Sequence, residues 1–173
     1  ARDTAVRLRL LVDDGTKTPA AEAGALTVQP YEDCFAGTAP FADAQVSLDD
    51  GAIILYTSGT TGQPKGALLT HGNLTWNCFN VLVDYDVAEN DIALMISPLF
   101  HVASLDMGVL PNLLKGATVI LETRFEPGRT LELIERYRAT YISGVPTTYQ
   151  LLCEHPDWAK RDISSLRKLT CGG

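Results

Sequence analysis

Along the chain, short apolar runs alternate with segments in which apolar residues recur at the spacing of an α-helix. From position 52 onward the apolar runs predict four strands, at Ala52–Thr57, Asp91–Ile96, Ala117–Leu121 and Thr140–Ser143. An earlier run at Val6–Val12 predicts one more strand. Residues 13–50 are rich in Ala, Asp, Gly, Pro and Thr and show no sustained period, so we expect an irregular covering segment there.

Two helices are predicted in the first half of this strand series. Thr70 can cap the first helix, whose inward face is expected to carry Leu74, Cys78, Leu82 and Tyr85. The second is expected to span Ala103–Lys115 and to end at Gly116.

Two further helices are predicted in the second half. One begins near Pro127, a residue suited to a first helical turn, and the other spans Pro146–Cys153. The helix after Pro127 is expected to turn Leu131, Ile134 and Tyr137 inward and Glu132, Glu135, Arg136 and Arg138 toward water.

This alternation of strands and helices predicts an α/β fold with a mainly parallel sheet and helices on both faces, arranged in three layers. A chain of 173 residues can bury one core of good size. We expect residues 1–50 to supply a strand and a covering segment of the same domain, and residues 51–173 to form its α/β part. Such sheets bind ligands at the carboxyl ends of their strands.

Composition excludes several classes of protein. A net charge of −7 argues against a nucleic-acid surface, which would need clustered Lys and Arg. The four cysteines are far apart and form no C-x-x-C pair, so neither a disulfide framework nor a zinc site is expected, and His71 and His155 lack partners at metal-ligand spacing. No run of about 18 apolar residues exists, so we predict no integral membrane segment and a cytoplasmic location.

The strongest chemical pattern is Thr57-Ser58-Gly59-Thr60-Thr61-Gly62-Gln63-Pro64-Lys65-Gly66. Its glycines let the backbone turn tightly, its hydroxyls and N–H groups can converge on phosphate oxygens, and Lys65 adds a positive charge. The loop does not match the Walker A phosphate-binding motif G-x-x-x-x-G-K-[ST], because Lys65 is followed by glycine. A solvent-exposed hairpin turn is the alternative interpretation.

Residues 56–66 resemble, position by position, the phosphate-loop motif of the adenylate-forming superfamily, which includes acyl-CoA and aryl-CoA synthetases. The similarity continues through Leu69–Asn73, Pro98–His101, Gly144–Thr147 and Leu169–Gly173. The chain is most similar to acyl-CoA synthetases of the long-chain fatty-acid type. By this resemblance, residues 51–173 are expected to form the AMP-binding α/β subdomain of the large domain, cut at both ends.

The resemblance implies a two-step reaction in which a carboxylate attacks ATP, pyrophosphate leaves, and coenzyme A then displaces AMP. It implies that ATP, Mg²⁺ and coenzyme A bind, and that Thr57 lies nearest the Mg²⁺ carried by ATP. The other residues expected at the nucleotide are Ser58, Gly59, Thr60, Thr61, Gly62, Lys65, Gly172 and Gly173.

The resemblance also places His101 beside the acyl pocket, where we expect it to position the substrate and not to act as a base. A hydrogen-bonded structural histidine is the alternative. The apolar wall of that pocket is expected to include Val102, Ala103, Met107, Val145 and Tyr149, each of which could equally belong to the core.

Three functions remain open at this stage. Amino-acid-activating relatives carry Asp where this chain has His101, so an α-amino acid is disfavoured relative to a fatty or aryl acid. A fatty acid is the first hypothesis, with an aryl or other carboxylic acid as the second. The third is a non-catalytic phosphate-binding module.

Motifs for ribose and adenine and the C-terminal catalytic lysine are absent, so we expect this chain alone to be inactive and to dimerise or aggregate through uncovered edges. Peripheral membrane contact is compatible with a fatty substrate.

Overall fold

The computed structural model describes residues 8–11, 27–31, 33, 37, 43–58 and 63–172. Contacts within the chain divide it into two compact units, residues 1–45 and 46–173. The division into a covering segment over residues 1–50 and an α/β part from residue 51 remains a prediction.

The first unit contains a small parallel sheet of β1 (Leu8–Leu11) and β2 (Thr27–Pro30). Strand β1 lies inside the strand predicted at positions 6–12, whose outer positions fall outside the described residues. Strand β2 corrects the expectation that residues 13–50 are irregular throughout. Its four residues contain one aliphatic side chain and end in proline, so the sequence pattern is too short to indicate a strand.

The second unit opens with an antiparallel ribbon of β3 (Gly51–Thr57) and β4 (Lys65–Thr70). The strand predicted at positions 52–57 is therefore present, but it pairs with β4 and not with the parallel strands. It is also less buried than expected, since Ile54 is 58% exposed and Tyr56 is 74% exposed. Strand β4 has no counterpart among the predicted strands.

Helix α1 (His71–Asp84) begins where the sequence predicts. The Thr70 hydroxyl accepts from the Asn73 N–H at 3.1 Å, and the Asn73 side chain accepts from the Thr70 N–H at 2.9 Å. Its predicted inward face is confirmed, because Cys78 is buried and the other members of that face are half-buried.

A four-stranded sheet forms the centre of the second unit, with β5 (Ile92–Met95), β6 (Thr118–Leu121), β7 (Tyr141–Gly144) and β8 (Lys168–Cys171). The strand order is β6-β5-β7-β8 and every pairing is parallel. This confirms the predicted α/β class. The sequence pattern did not predict β8, whose four residues alternate half-buried and exposed at the edge of the sheet.

The helical segment predicted at positions 103–115 consists of three consecutive pieces. They are α2 (Val102–Ser104), a π-turn (Leu105–Val109) and α3 (Leu110–Lys115). Gly116 ends the segment with φ of 83°, a left-handed conformation that favours glycine. In the π-turn, a side chain at Gly108 would meet the Met95 sulfur at 2.5 Å, so the helix backbone approaches β5 closely there.

Helices α4 (Pro127–Tyr137) and α5 (Pro146–Glu154) follow the predicted boundaries closely. Leu131 and Ile134 are fully buried as expected. Tyr137 is 42% exposed, so its predicted inward position is wrong. The helix ends directly after it, at Arg138 with φ of 55°, and the Arg136 guanidinium lies over the Tyr137 ring at 5.2 Å.

Alternate residues of β5 enter two different apolar clusters, which shows that helices cover both faces of the sheet. Ala93 and Met95 belong to one cluster with Val109 of the π-turn. Leu94 belongs to the other with Leu131 of α4. The π-turn side of the sheet and the α4–α5 side are therefore distinct environments, and the candidate site lies on the first.

Candidate active site

The carboxyl ends of β5, β7 and β8 meet at one edge of the parallel sheet, and three of the predicted site residues follow them. His101 comes after β5, Val145 after β7 and Gly172 after β8. Because parallel strands end at the same edge, the topology brings these segments together as the sequence predicts.

His101 occupies the position just before the first turn of α2. Its carbonyl accepts from the N–H groups of Ser104 and Leu105, both at 3.1 Å, and its own N–H donates to the Pro98 carbonyl at 3.1 Å. The imidazole is exposed, makes no capping hydrogen bond, and lies 6.3 Å from the Phe100 ring between centroids. The backbone is thus fixed and the side chain remains available at the sheet edge.

A cleft of about 220 Å³ lies at this edge between the α2 and π-turn segment and strands β7 and β8. Ala103 and Met107 form its apolar wall; that this wall belongs to an acyl pocket remains a prediction. Its remaining lining residues are Tyr85, Tyr141, Ser143, Thr170, Cys171 and Gly172. Gly172 has open space where a side chain would project.

Three other residues predicted for the pocket wall do not line this cleft. Val102 is 42% exposed and Val145 is 43% exposed. Tyr149 lies on the α4–α5 face, where its hydroxyl donates to the Thr170 carbonyl at 2.5 Å and lies 3.3 Å from the Ile142 carbonyl. Burial, with smaller effects of Cys171 and Tyr141, raises the pKa of Tyr149 to about 12.

Sequence reasoning did not single out the hydroxyl side chains of this cleft. Tyr141 and Ser143 alternate along β7 and so share one face of the strand. Thr170 is the register partner of Ser143 on β8. The alternation in β7 was readable from the sequence, but the pairing with β8 required knowledge of a strand that the pattern did not predict.

The predicted phosphate loop lies in sequence between β3 and β4, and its described residues stand at the mouth of the ribbon, the end formed by the last residue of β3 and the first residue of β4. Thr57 and Lys65 are register partners at its mouth, and the Thr57 hydroxyl donates to the Lys65 carbonyl at 3.4 Å. This orientation leaves the Thr57 oxygen lone pairs free for a cation. Ser58 and Lys65 are exposed, and among the described residues no carboxylate pairs with Lys65. Gly59, Thr60, Thr61, Gly62 and Gly173 lie outside the described residues.

The donors at the mouth of the ribbon suit an anion. Within the described ranges, no group of three or more His, Cys, Asp or Glu side chains could hold a metal ion. The Lys65 ammonium, which has no carboxylate partner among the described residues, and the exposed hydroxyls fit phosphate oxygens. Mg²⁺ usually binds through substrate phosphates and only one or two protein oxygens, which agrees with this set. No described helix is long and apolar enough to span a membrane.

Comparison with protein families gives a match over the whole chain. The model of the AMP-binding enzyme family matches residues 1–173. The chain belongs to this family. Relatives are CoA ligases of the adenylate-forming superfamily, so the resemblance seen in residues 56–66 is confirmed.

Two curated relatives of this AMP-binding chain are named for aromatic acids. A feruloyl-CoA synthase from Amycolatopsis sp is 57% identical over 131 residues, which is 76% of this chain and 27% of the relative. An indoleacetate–CoA ligase from Aromatoleum aromaticum is 41% identical over 136 residues, 79% of this chain and 27% of the relative. The chain thus spans about a quarter of the length of these relatives.

A solved structure shows the same fold in this family. ATP-bound MatB from Rhodopseudomonas palustris superposes with a TM-score of 0.77 at 32% identity, covering 86% of this chain and 31% of that chain.

Proposed function

We propose that this chain supplies the phosphate loop and part of the acid-binding cleft of an ATP-dependent CoA ligase for an aryl-substituted carboxylic acid. The observation that carries the proposal is the 57% identity to a feruloyl-CoA synthase across 131 residues. A hydroxycinnamic acid, the class to which ferulic acid belongs, is the substrate we put first. The activity is that of the complete gene product.

In the proposed reaction, a carboxylate oxygen of the acid attacks the α-phosphorus of ATP and pyrophosphate leaves. The thiol sulfur of coenzyme A then attacks the acyl carbon, AMP leaves, and the thiol proton passes to solvent. Negative charge grows on the departing pyrophosphate, and donors already in place stabilise such charge. Lys65 and the hydroxyls of Ser58, Thr60 and Thr61 are the donors we assign to it. Thr57, whose hydroxyl proton is engaged by the Lys65 carbonyl, is assigned to the Mg²⁺ that ATP carries.

His101 is assigned a positioning role beside the acid. A carboxylic acid is already ionised near neutral pH and needs no general base to attack phosphorus. The exposed imidazole at the sheet edge, on a backbone held by three hydrogen bonds, suits a side chain that orients a reacting group.

The names of the curated relatives support an aryl acid, the alternative at the sequence level, over the long-chain fatty acid that the sequence favoured. An α-amino acid is disfavoured because His101 stands where a carboxylate would pair with its ammonium.

ATP–pyrophosphate exchange by the complete gene product tests the proposal. The panel contains ferulic, indoleacetic, decanoic and palmitic acids and phenylalanine. We expect exchange with the aryl acids first. Exchange driven only by fatty acids would restore the fatty-acid hypothesis, and no exchange with any acid would favour the non-catalytic phosphate-binding module.

A further inference from the structure

The floor of the 220 Å³ cleft carries an unusual set of hydroxyl side chains from three elements. Tyr141 and Ser143 come from β7, Thr170 from β8, and Tyr85 follows the last turn of α1. The hydroxyl oxygens of Tyr141 and Thr170 are 3.2 Å apart, which is hydrogen-bond distance. The floor is therefore polar although Tyr141 is only 3% exposed.

The opposite wall has the contrary character. Ala103 and Met107 present apolar groups, and Met107 extends from the π-turn that Gly108 holds close to β5. A site with an apolar wall and a few converging polar groups fits a planar ring that carries a polar substituent. A plain hydrocarbon ring would cover these hydroxyls without hydrogen bonding to them.

Within the part of the chain that the structure describes, the hydroxyls of the floor have more hydrogen-bonding capacity than their mutual bonds use. A hydroxyl has one proton to donate and two lone pairs. Tyr141 bonds to Thr170 and also lies within hydrogen-bonding reach of the Ser143 hydroxyl, so these three hydroxyls hold three protons for two mutual bonds, and one proton remains together with unused lone pairs. A polar group that a ligand covers without pairing destabilises the complex, so this floor favours a ligand able both to accept and to donate.

Burial raises the pKa of Tyr141, an effect that the nearby hydroxyls of Thr170 and Ser143 partly oppose. Tyr141 therefore keeps its proton at neutral pH and can act as a hydrogen-bond donor. The Tyr85 side chain lines the same floor and adds a second phenol.

We propose that Tyr141 and Thr170 recognise a ring hydroxyl of the aryl acid and so determine specificity for phenolic over unsubstituted substrates. This inference rests on the proposed function, because it concerns the acid bound in the same cleft. A phenol hydroxyl can accept the free proton of the pair and donate to Ser143 or Tyr85. A site built to hydrogen-bond a hydroxyl discriminates strongly against the analogue that lacks it.

A structural role is the competing explanation, since the same pair joins β7 to β8. It predicts equal losses for all acids when either hydroxyl is removed. Recognition predicts losses confined to the hydroxylated acid. The ratio of kcat/KM for the hydroxylated acid to kcat/KM for the unsubstituted acid separates the two explanations. A loss of folded protein lowers both values equally and leaves this ratio unchanged.

The experiment measures kcat/KM for CoA thioester formation by the complete gene product with 4-hydroxycinnamic acid and with cinnamic acid. Wild-type protein should prefer the hydroxylated acid, and Tyr141→Phe or Thr170→Val should each lower that preference about tenfold, the effect of one lost hydrogen bond. Thr170→Ser should retain the preference because it keeps the hydroxyl. Tyr137 lies on α4 with an exposed ring, so Tyr137→Phe is the matched control and should change kcat/KM for neither acid.

If Tyr141→Phe does not fold, Thr170→Val and Ser143→Ala give the same comparison. An unchanged preference in the folded variants, or equal losses for both acids, would overturn the inference. Wild-type protein that uses both acids equally would overturn it while leaving the proposed function intact. Wild-type protein that uses neither aryl acid would overturn both.

Discussion

The carboxylate of Asp91 accepts a hydrogen bond from the Lys168 ammonium at 2.5 Å and thereby joins the amino end of β5 to the amino end of β8. The same carboxylate accepts from the Arg167 guanidinium at 2.9 Å and from the Thr140 hydroxyl at 2.8 Å. Asp91 is only 1% exposed. One buried charge thus fixes three parallel strands at the end of the sheet opposite the cleft.

Replacing Asp91 should destabilise the sheet strongly. Asp91→Ala removes the buried carboxylate of an ionic cluster and leaves the half-buried Lys168 ammonium without its ion-pair partner, which costs about 3 kcal/mol. Chemical denaturation of both proteins at neutral pH measures this difference. Glu89→Ala, an exposed acid in the preceding turn, is the control and should stay within about 0.5 kcal/mol of wild type. A similar stability for the two variants would refute the role assigned to Asp91.

The acid stability of the protein should depend on Asp91 as well. Burial acts to raise its pKa, but hydrogen bonds from Lys168, the Ala88 N–H and Thr140 outweigh it and hold the pKa of Asp91 below its ordinary value. A depressed pKa contributes stability above the unfolded value of 3.8 and loses it as the pH falls through the folded value. The difference between wild type and Asp91→Ala should therefore shrink below pH 4.

Asp106 should affect the pH dependence of stability in the opposite direction to Asp91. It is 7% exposed in the π-turn, and burial raises its pKa. Its Oδ1 has no hydrogen-bond partner among the described residues. Because the folded state holds the proton more tightly, stability should fall as the pH rises from the ordinary value of 3.8 through the raised pKa.

The matching variant is Asp106→Asn, which cannot ionise. At pH 8 it should be more stable than wild type by about 1 kcal/mol, and the gain should vanish near pH 4. Thermal unfolding across that pH range measures it, with Asp84→Asn at the exposed end of α1 as the control. A gain that does not change with pH would show that the charge of Asp106 is not its cause.

Lys65 should matter for pyrophosphate departure and not for stability. Its side chain is exposed at the mouth of the ribbon and pairs with no described carboxylate. In the complete gene product, Lys65→Ala should lower ATP–pyrophosphate exchange at least about a hundredfold, as expected for a lost charge contact to a transferring phosphoryl group. Lys115→Ala, another exposed lysine, should retain full exchange. Normal exchange by Lys65→Ala would contradict the role assigned to Lys65 and the phosphate loop in pyrophosphate departure.

His101→Ala should lower the rate without removing binding. A positioning residue acts on geometry, so we expect kcat to fall about tenfold or more while KM for the acid changes little. Steady-state kinetics with ferulic acid in the complete gene product measure both constants, with Phe100→Leu as the neighbouring control. A rise in KM alone would show instead that His101 only contributes to binding of the acid.

Much of the fold was readable from the sequence because local signals and tertiary packing agree. Thr70 begins α1, Pro127 lies in the first turn of α4, and Gly116 ends α3 in the left-handed conformation that its residue type allows. These signals act within one helical turn. They do not depend on which element packs nearby.

Features that depend on distant partners were not readable. Strands β3 and β5 have similar apolar patterns, and only pairing shows that one joins a ribbon and the other a parallel sheet. The π-turn lies where Gly108 meets Met95 across 13 positions of sequence. The hydroxyl floor similarly required the register of β7 against β8.

Product analysis tests the central claim most directly. The complete gene product is incubated with ATP, Mg²⁺, coenzyme A and an equimolar mixture of ferulic and decanoic acids, and the thioesters are identified by mass spectrometry. We expect feruloyl-CoA to accumulate first, together with AMP and pyrophosphate. Decanoyl-CoA as the main product would contradict the aryl assignment, and the absence of any thioester would contradict the CoA-ligase assignment itself.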